Sequence, residues 1–271
     1  MLATPDMAIE LRCALDPVAF AVERLGFHPD PWQADVLRLS DKNTLLNCSR
    51  QAGKSTTTAI IALHTAVYKP GSLTLLGSPS LRQSRELFVK MTDFLKRLEH
   101  PPELEEDNRL SVQLRNGSRV VSLPGTGETV RGFSAPDLIV EDEAAFVEDS
   151  FYRAVRPMLA VSGGRLILMS TPYGKRGHFH GAWRETDAWH RVEVPARDCP
   201  RITAAFLERE SKALGDLWFR QEYQCEFADV IDSVFRMADI ERALSDDVTP
   251  LFEMPPGEDD VKPLTIVENA A

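Results

Sequence analysis

The stretch that most constrains this chain is residues 44–58, TLLNCSRQAGKSTTT. Thr44, Leu45 and Leu46 read as a buried strand, Cys48 to Gly53 as a polar loop, and Lys54 onward as a helix rich in alanine and isoleucine. A strand that runs through such a loop into a helix aims backbone N–H groups and the positive end of the helix dipole at one point, which favours an anion. Lys54 adds a full charge for outer phosphates and the Ser55 hydroxyl can hold a magnesium ion, so residues Ser49, Arg50, Gln51, Ala52, Gly53, Lys54, Ser55 and Thr56 are expected to line a nucleotide's phosphates. The pattern departs from GxxxxGK[ST] at its first position, where Cys48 replaces glycine.

The remaining chain supports an open α/β sheet around that loop. At 271 residues, with 43% hydrophobic and 27% charged residues, it has the size and composition of one large α/β domain, or of one domain with a smaller appendage. Four cysteines at 13, 48, 199 and 225 lack the spacing of a zinc ribbon or a disulfide framework, which suits a reducing compartment. No apolar run reaches the ~20 residues of a membrane span, and no membrane partner is expected. A net charge of −10 means that any contact with nucleic acid is local. The acidic runs at 103–107 and 258–260 read as solvated loops.

In chain order, residues 5–26 form an N-terminal helical segment. Trp32 and Gln33, a proline-bounded aromatic and an amide one helix before the loop, suit an adenine: the ring offers a flat face and the amide both donates and accepts. The alternative is a core tryptophan and a surface glutamine. Residues 54–68 and 80–98 are helices, and 73–77 is a strand. Arg115-Asn116-Gly117-Ser118 is the turn of a hairpin inserted within 110–123, and 124–134 is an exposed loop carrying Arg131.

A second strand, 137–140, delivers Glu141, Asp142 and Glu143 at its carboxyl end, where ligands of such sheets bind. Asp142 is placed to hold magnesium through water and Glu143 to polarise an attacking water, the alternative being a helix N-cap cluster. Strand 165–170 ends in Ser170, Thr171 and Pro172, whose hydroxyls could report loss of the γ-phosphate. His178 and His180 lack a recognised metal spacing and read as surface residues. Residues 202–227 are helical and aromatic, broken at Gly215; a short helix at 237–245 follows, and the tail is acidic and loose.

Taken together, SRQAGKS, VRGFSAPDLIVEDEAAF, LILMSTPYG and FRQEYQCEF resemble the motifs of the ATPase part of tailed-phage terminase large subunits. The resemblance spans about residues 27–235. It implies a P-loop NTPase fold of the ASCE or RecA-like kind, a mostly parallel sheet flanked by helices with a small helical subdomain. Its implied division is a core over 1–200, with 1–26 against the helical subdomain, a lid over 201–248 and a tail over 249–271. The roles it implies are ATP with Mg2+ as ligands, Lys54 and Ser55 on phosphate and metal, Asp142 on the metal, Glu143 on the water and Gln33 on the adenine. Arg50 would be a charge-stabilising sensor, Arg131 a finger offered to a neighbouring subunit, and Ser170 and Thr171 a coupling element.

The partners implied are double-stranded DNA, a ring of copies forming a pentamer on the portal protein, and the small terminase subunit, in the cytoplasm of an infected bacterium. Glu141 departs from the family pattern, which has an apolar residue there. The family's nuclease domain has no room in 271 residues, so nuclease activity is not expected. A helicase-like ATPase and an inactive assembly subunit are the competing readings.

Overall fold

The computed structural model describes residues 5–40, 43–185 and 189–228. The chain opens with α1 (Pro5–Leu15) and α2 (Pro17–Glu23). They part at Asp16, whose carboxylate accepts the Val18 N–H at 2.9 Å, while Pro17 occupies the first helical position, where no N–H is needed. α3 (Pro31–Arg38) starts in the same manner, Asp30 as its cap. β1 (Asn43–Cys48) enters the sheet, α4 (Lys54–Tyr68) leaves it, and β2 (Leu73–Ser78) and α5 (Leu81–Arg97) follow.

Next come β3 (Leu104–Asp107), β4 (Ser111–Leu114), β5 (Arg119–Pro124) and the single-turn α6 (Gly127–Val130). β6 (Leu138–Asp142), α7 (Asp149–Ser162), β7 (Arg165–Ser170), α8 (Gly177–Arg184) and β8 (His190–Val194) complete the sheet. α9 (Ala204–Leu214) and α10 (Asp216–Gln224) pack together across Gly215 and lie in the same compact unit as the sheet. The expected helix at 237–245, the end of the expected lid and the tail lie outside the described residues.

The eight strands run in the order β3-β4-β5-β2-β6-β7-β1-β8. From β5 to β8 every pairing is parallel, and β3 and β4 are antiparallel. Parallel strands with helices on both faces are buried on both sides, so β1, β2, β6 and β7 read as near-continuous apolar runs. Alternation sends Leu46, Leu76, Val140, Ile167 and Met169 to the face covered by α4 and α5, and Leu45, Leu75, Ile139, Leu166 and Leu168 to the opposite face, with α7 and α8. Each fully buried Leu or Ile contributes ~1.5–3 kcal/mol, so this two-sided core holds the strand ends rigidly. Because the six strands are parallel, Cys48, Ser78, Pro124, Asp142, Ser170 and Val194 all end at one edge.

Two expectations are corrected. The 110–123 hairpin forms, but it is no insertion: β5 pairs in parallel with β2 and continues the main sheet. Most of the acidic run at 103–107 lies in an edge strand, β3, and its exposed carboxylates keep that edge from pairing with another chain. The N-terminal segment packs on α4, where Phe20 sets its edge against His64 and Tyr68 at 5.4 and 5.6 Å, because the outer side of α4 is apolar and aromatic.

Candidate nucleotide site

The loop between β1 and α4 is held in a strained path. Gln51 and Gly53 both have left-handed backbones, φ 61° and 105°. A side chain at residue 53 would also place its Cβ 2.7 Å from the Gln33 amide nitrogen, so only glycine fits there. Cys48, by contrast, is still in the strand and its side chain is buried in the core; nothing at that point calls for glycine. α4 starts at Lys54, leaving its first N–H groups without an intrahelical acceptor and facing the loop's interior.

Long-range contacts pin this loop. Gln33 is buried, its Oε1 accepting the Asp30 N–H at 2.9 Å and its amide nitrogen resting under Gly53. Asp30 pairs with Arg201 at 2.8 Å, and Arg201 in turn donates to the Ala52 carbonyl at 2.8 Å. Asn47 donates to the Cys225 carbonyl at 2.8 Å, the Ser49 N–H to the Val194 carbonyl at 3.0 Å, and the Arg50 N–H to the Glu222 carbonyl at 3.1 Å. The Arg50 guanidinium is paired with the Glu222 carboxylate. Trp32 packs on the core cluster beside α4.

Across from the loop, β6 delivers its acids. Lys54 is almost wholly buried, with Nζ 3.1 Å from Glu143 Oε1. Burial works against its charge, but Glu143 and Asp142 outweigh burial and hold the ammonium above its ordinary range. Asp142 is buried too; burial and the neighbouring Glu143 push its carboxyl up to about 6, against the pull of Lys54. Glu143 sits in the left-handed region, φ 52° and ψ 43°, a conformation that costs a non-glycine residue ~1–3 kcal/mol and that turns its side chain back towards Lys54. Its N–H donates to Asp142 Oδ1 at 2.9 Å. Ser170 donates to the Thr171 carbonyl at 2.8 Å and its Oγ lies 3.4 Å from Glu143 Oε2, so the end of β7 touches the same carboxylate. Thr171 and Pro172 are buried behind it.

The donor set fits magnesium. This ion binds through one or two protein oxygens plus phosphates rather than in a full protein cage. Ser55 opens α4 and Asp142 closes β6, and the Lys54–Glu143 contact brings those two ends together. Ser55 and Thr56 are partly exposed at the mouth of the cleft. Arg131 is not part of this cluster: it ends α6 with an exposed side chain and no partner among the described residues.

Several residues at the site were missed by sequence reasoning. Arg201, Arg209, Phe206 and Tyr223 join Arg50 and Gln51 around a cavity of about 520 Å³ beside the loop, a size that suits a small ligand. The motif FRQEYQCEF was the available signal for Glu222 and Tyr223; Arg201 had none. His178 was read as a surface residue and is instead buried, between Glu141 and Asp149. Burial disfavours its charge, but the two carboxylates win and raise its affinity for a proton.

A family model described as terminase large subunit, T4likevirus-type, N-terminal, matches residues 45–242. The chain belongs to this family. The terminase large subunit of Thermus virus P23-45 is 28% identical over 80% of this chain and 52% of its own length; that of Escherichia phage T5 is 25% identical over 82% and 53%. The chain thus spans about half the length of the curated relatives it matches. Among solved structures, the large terminase ATPase domain of Thermus phage P74-26 superposes with a TM-score of 0.71 over 79% of this chain and all of that one, at 22% identity. The terminase fold is therefore the P-loop α/β sheet expected from the motifs. No terminase helix among the described residues is long and apolar enough to cross a membrane.

Proposed function

We propose that this chain is the ATP-hydrolysing motor module of a phage DNA-packaging machine, acting with double-stranded DNA. The observation that carries the reading is the contact of Lys54 with Glu143 beneath a phosphate-binding loop, with Ser170 on the second oxygen of the same carboxylate. A large terminase of the thermophilic bacteriophage D6E, which shares the fold, has been solved in complex with ADP.

In this reading the triphosphate lies along Ser49 to Thr56, its outer phosphates taking Lys54 from Glu143. The freed Glu143 carboxylate then orients the attacking water and accepts its proton. Ser55 and Asp142 would hold a magnesium ion, which would supply positive charge against the triphosphate. Gln33 acts beneath the loop and on the adenine side, Trp32 alongside it. Arg50 leaves Glu222 for the phosphates, and Arg131 reaches a neighbouring copy in a ring. Ser170, Thr171 and Pro172 transmit the change at Glu143 to β7 and α8, which turns hydrolysis into movement of DNA. The partners are copies of the chain in a pentamer, the portal protein and the small subunit, within the host cytoplasm.

The test is steady-state ATP turnover by the intact chain with magnesium and linear duplex DNA, with Glu143→Ala as control. DNA-stimulated turnover that the substitution abolishes is the expected result. No turnover at high chain concentration would overturn the enzymatic reading.

A further inference from the structure

The face of the sheet opposite the phosphate loop holds a buried charged cluster for which nucleotide chemistry provides no task. Strand alternation sends Glu141 away from the side of Asp142, into the layer covered by α7 and α8. Its side chain is fully buried there, among apolar neighbours such as Ile139 and Leu168. Glu141 Oε1 lies 2.6 Å from His178 Nε2, and His178 Nδ1 lies 2.9 Å from Asp149 Oδ1. The same Asp149 oxygen accepts the His178 backbone N–H at 2.9 Å, and Tyr152 stacks on the imidazole with centroids 4.7 Å apart. Glu141 Oε2 is buried without a partner.

Stability alone does not account for this arrangement, because a buried ion pair is commonly matched or bettered by apolar residues of similar volume. Its position is more informative. Glu141 directly precedes Asp142 and Glu143, and Glu143 holds a left-handed backbone that persists only where the surroundings dictate it. From the nucleotide side that turn is held by Lys54 and the Asp142 carboxylate. From behind, the anchor is Glu141 on His178, and His178 is itself fixed at the start of α8, the helix that follows Ser170–Pro172.

Building on the hydrolytic reading above, we infer that His178 is a positioning residue: clasped between Glu141 and Asp149, it fixes the end of β6 from the back of the sheet. Asp142 and Glu143 thereby keep their aim at the phosphate loop, and that aim is tied to α8. His178 touches neither nucleotide nor water and acts only through Glu141.

The experiment compares the full chain with His178→Leu, Glu141→Gln and the double variant Glu141→Leu/His178→Leu. It reads kcat, KM, the Kd of a fluorescent ATP analogue and melting temperature. For His178→Leu, kcat should fall ~30–100-fold while KM and Kd stay within ~3-fold, the scale seen when the support of a reacting group is removed. Glu141→Gln, which still accepts from the imidazole, should lose less than ~5-fold. The double variant removes both buried charges and should recover the melting temperature but not kcat. A His178→Leu chain with kcat near that of the unaltered protein would overturn the inference. So would a double variant that regains kcat along with stability, or leucine variants that both fail to fold, since each assigns the cluster to folding alone. Absence of turnover in the unaltered chain would overturn the hydrolytic reading and this inference with it; an active chain indifferent to His178 would overturn the inference only.

Discussion

Lys54 Nζ rests 3.1 Å from Glu143 Oε1, so the cation that we assign to phosphate and the carboxylate that we assign to water neutralise each other across the cleft between α4 and β6. This pairing gives the nearly buried Lys54 ammonium a counter-charge on the partly exposed Glu143, and in the proposed mechanism nucleotide entry is an exchange of Lys54 partners. Glu143→Gln should therefore lower kcat by ~10²–10⁴-fold, the usual contribution of a general base. The Kd for a fluorescent ATP analogue should stay equal or tighten, because Lys54 no longer has a competing anion. A parallel loss of binding and turnover would mean that Glu143 supports the loop rather than the chemistry.

Arg131 is exposed at the end of α6 with no partner among the described residues. Arg131→Ala should reduce turnover by ~10³-fold or more, as for arginine fingers, with nucleotide affinity within ~2-fold. Specific activity of the unaltered chain should rise with its concentration. Activity independent of concentration would argue against a role between subunits.

Arg50 is committed to Glu222, which holds its guanidinium firmly protonated and turned towards α10. Glu222→Gln should weaken that hold and raise affinity for ATP by ~3–10-fold, since an exposed pair is worth about 1 kcal/mol and a neutral partner competes less with phosphate. Titration with the labelled nucleotide measures this. Lower affinity would show that Glu222 serves mainly to brace the loop.

Asp16 tests how α2 is anchored. Its hydrogen bonds from Arg38, with the Val18 N–H, outweigh burial and hold the carboxyl below the ordinary range. A depressed acid contributes stability above the unfolded value of about 4 and loses it as pH falls through the native one. Asp16→Ala should cost ~1 kcal/mol at neutral pH, as for loss of an N-cap. In urea melts the gap to the unaltered chain should narrow as pH falls below about 4. A gap that stays constant would place the effect in helix propensity instead.

Much of the site was legible because its parts are local. The strand, loop and helix around Gly53, the acids closing β6 and the hydroxyls closing β7 are each short segments whose chemistry and order can be read along the chain. The edge strand at 104–107 was not legible, since a run of exposed acids carries no apolar alternation, and its pairing with β4 is what makes it a strand. His178 was misread for a related reason. A histidine next to basic residues looks solvent-facing until α8 is laid on the sheet and brings it 2.6 Å from Glu141. The N-terminal helices had an apolar face, but nothing local said that α4 would be the surface to cover it.

By itself, then, the sequence determined the parallel α/β class and the identity of the residues that turn at each strand end, because hydrophobic runs, glycine and prolines act over a few residues. The tertiary structure alone decided which of those ends meet. Lys54 faces Glu143, Arg50 faces Glu222 and Gln33 supports Gly53 only because strand order sets β1, β6 and β7 near one another and lays α3 and α10 against the loop. Such pairings join residues far apart in the chain, where no local preference acts, and they follow from packing two faces of one sheet to full density.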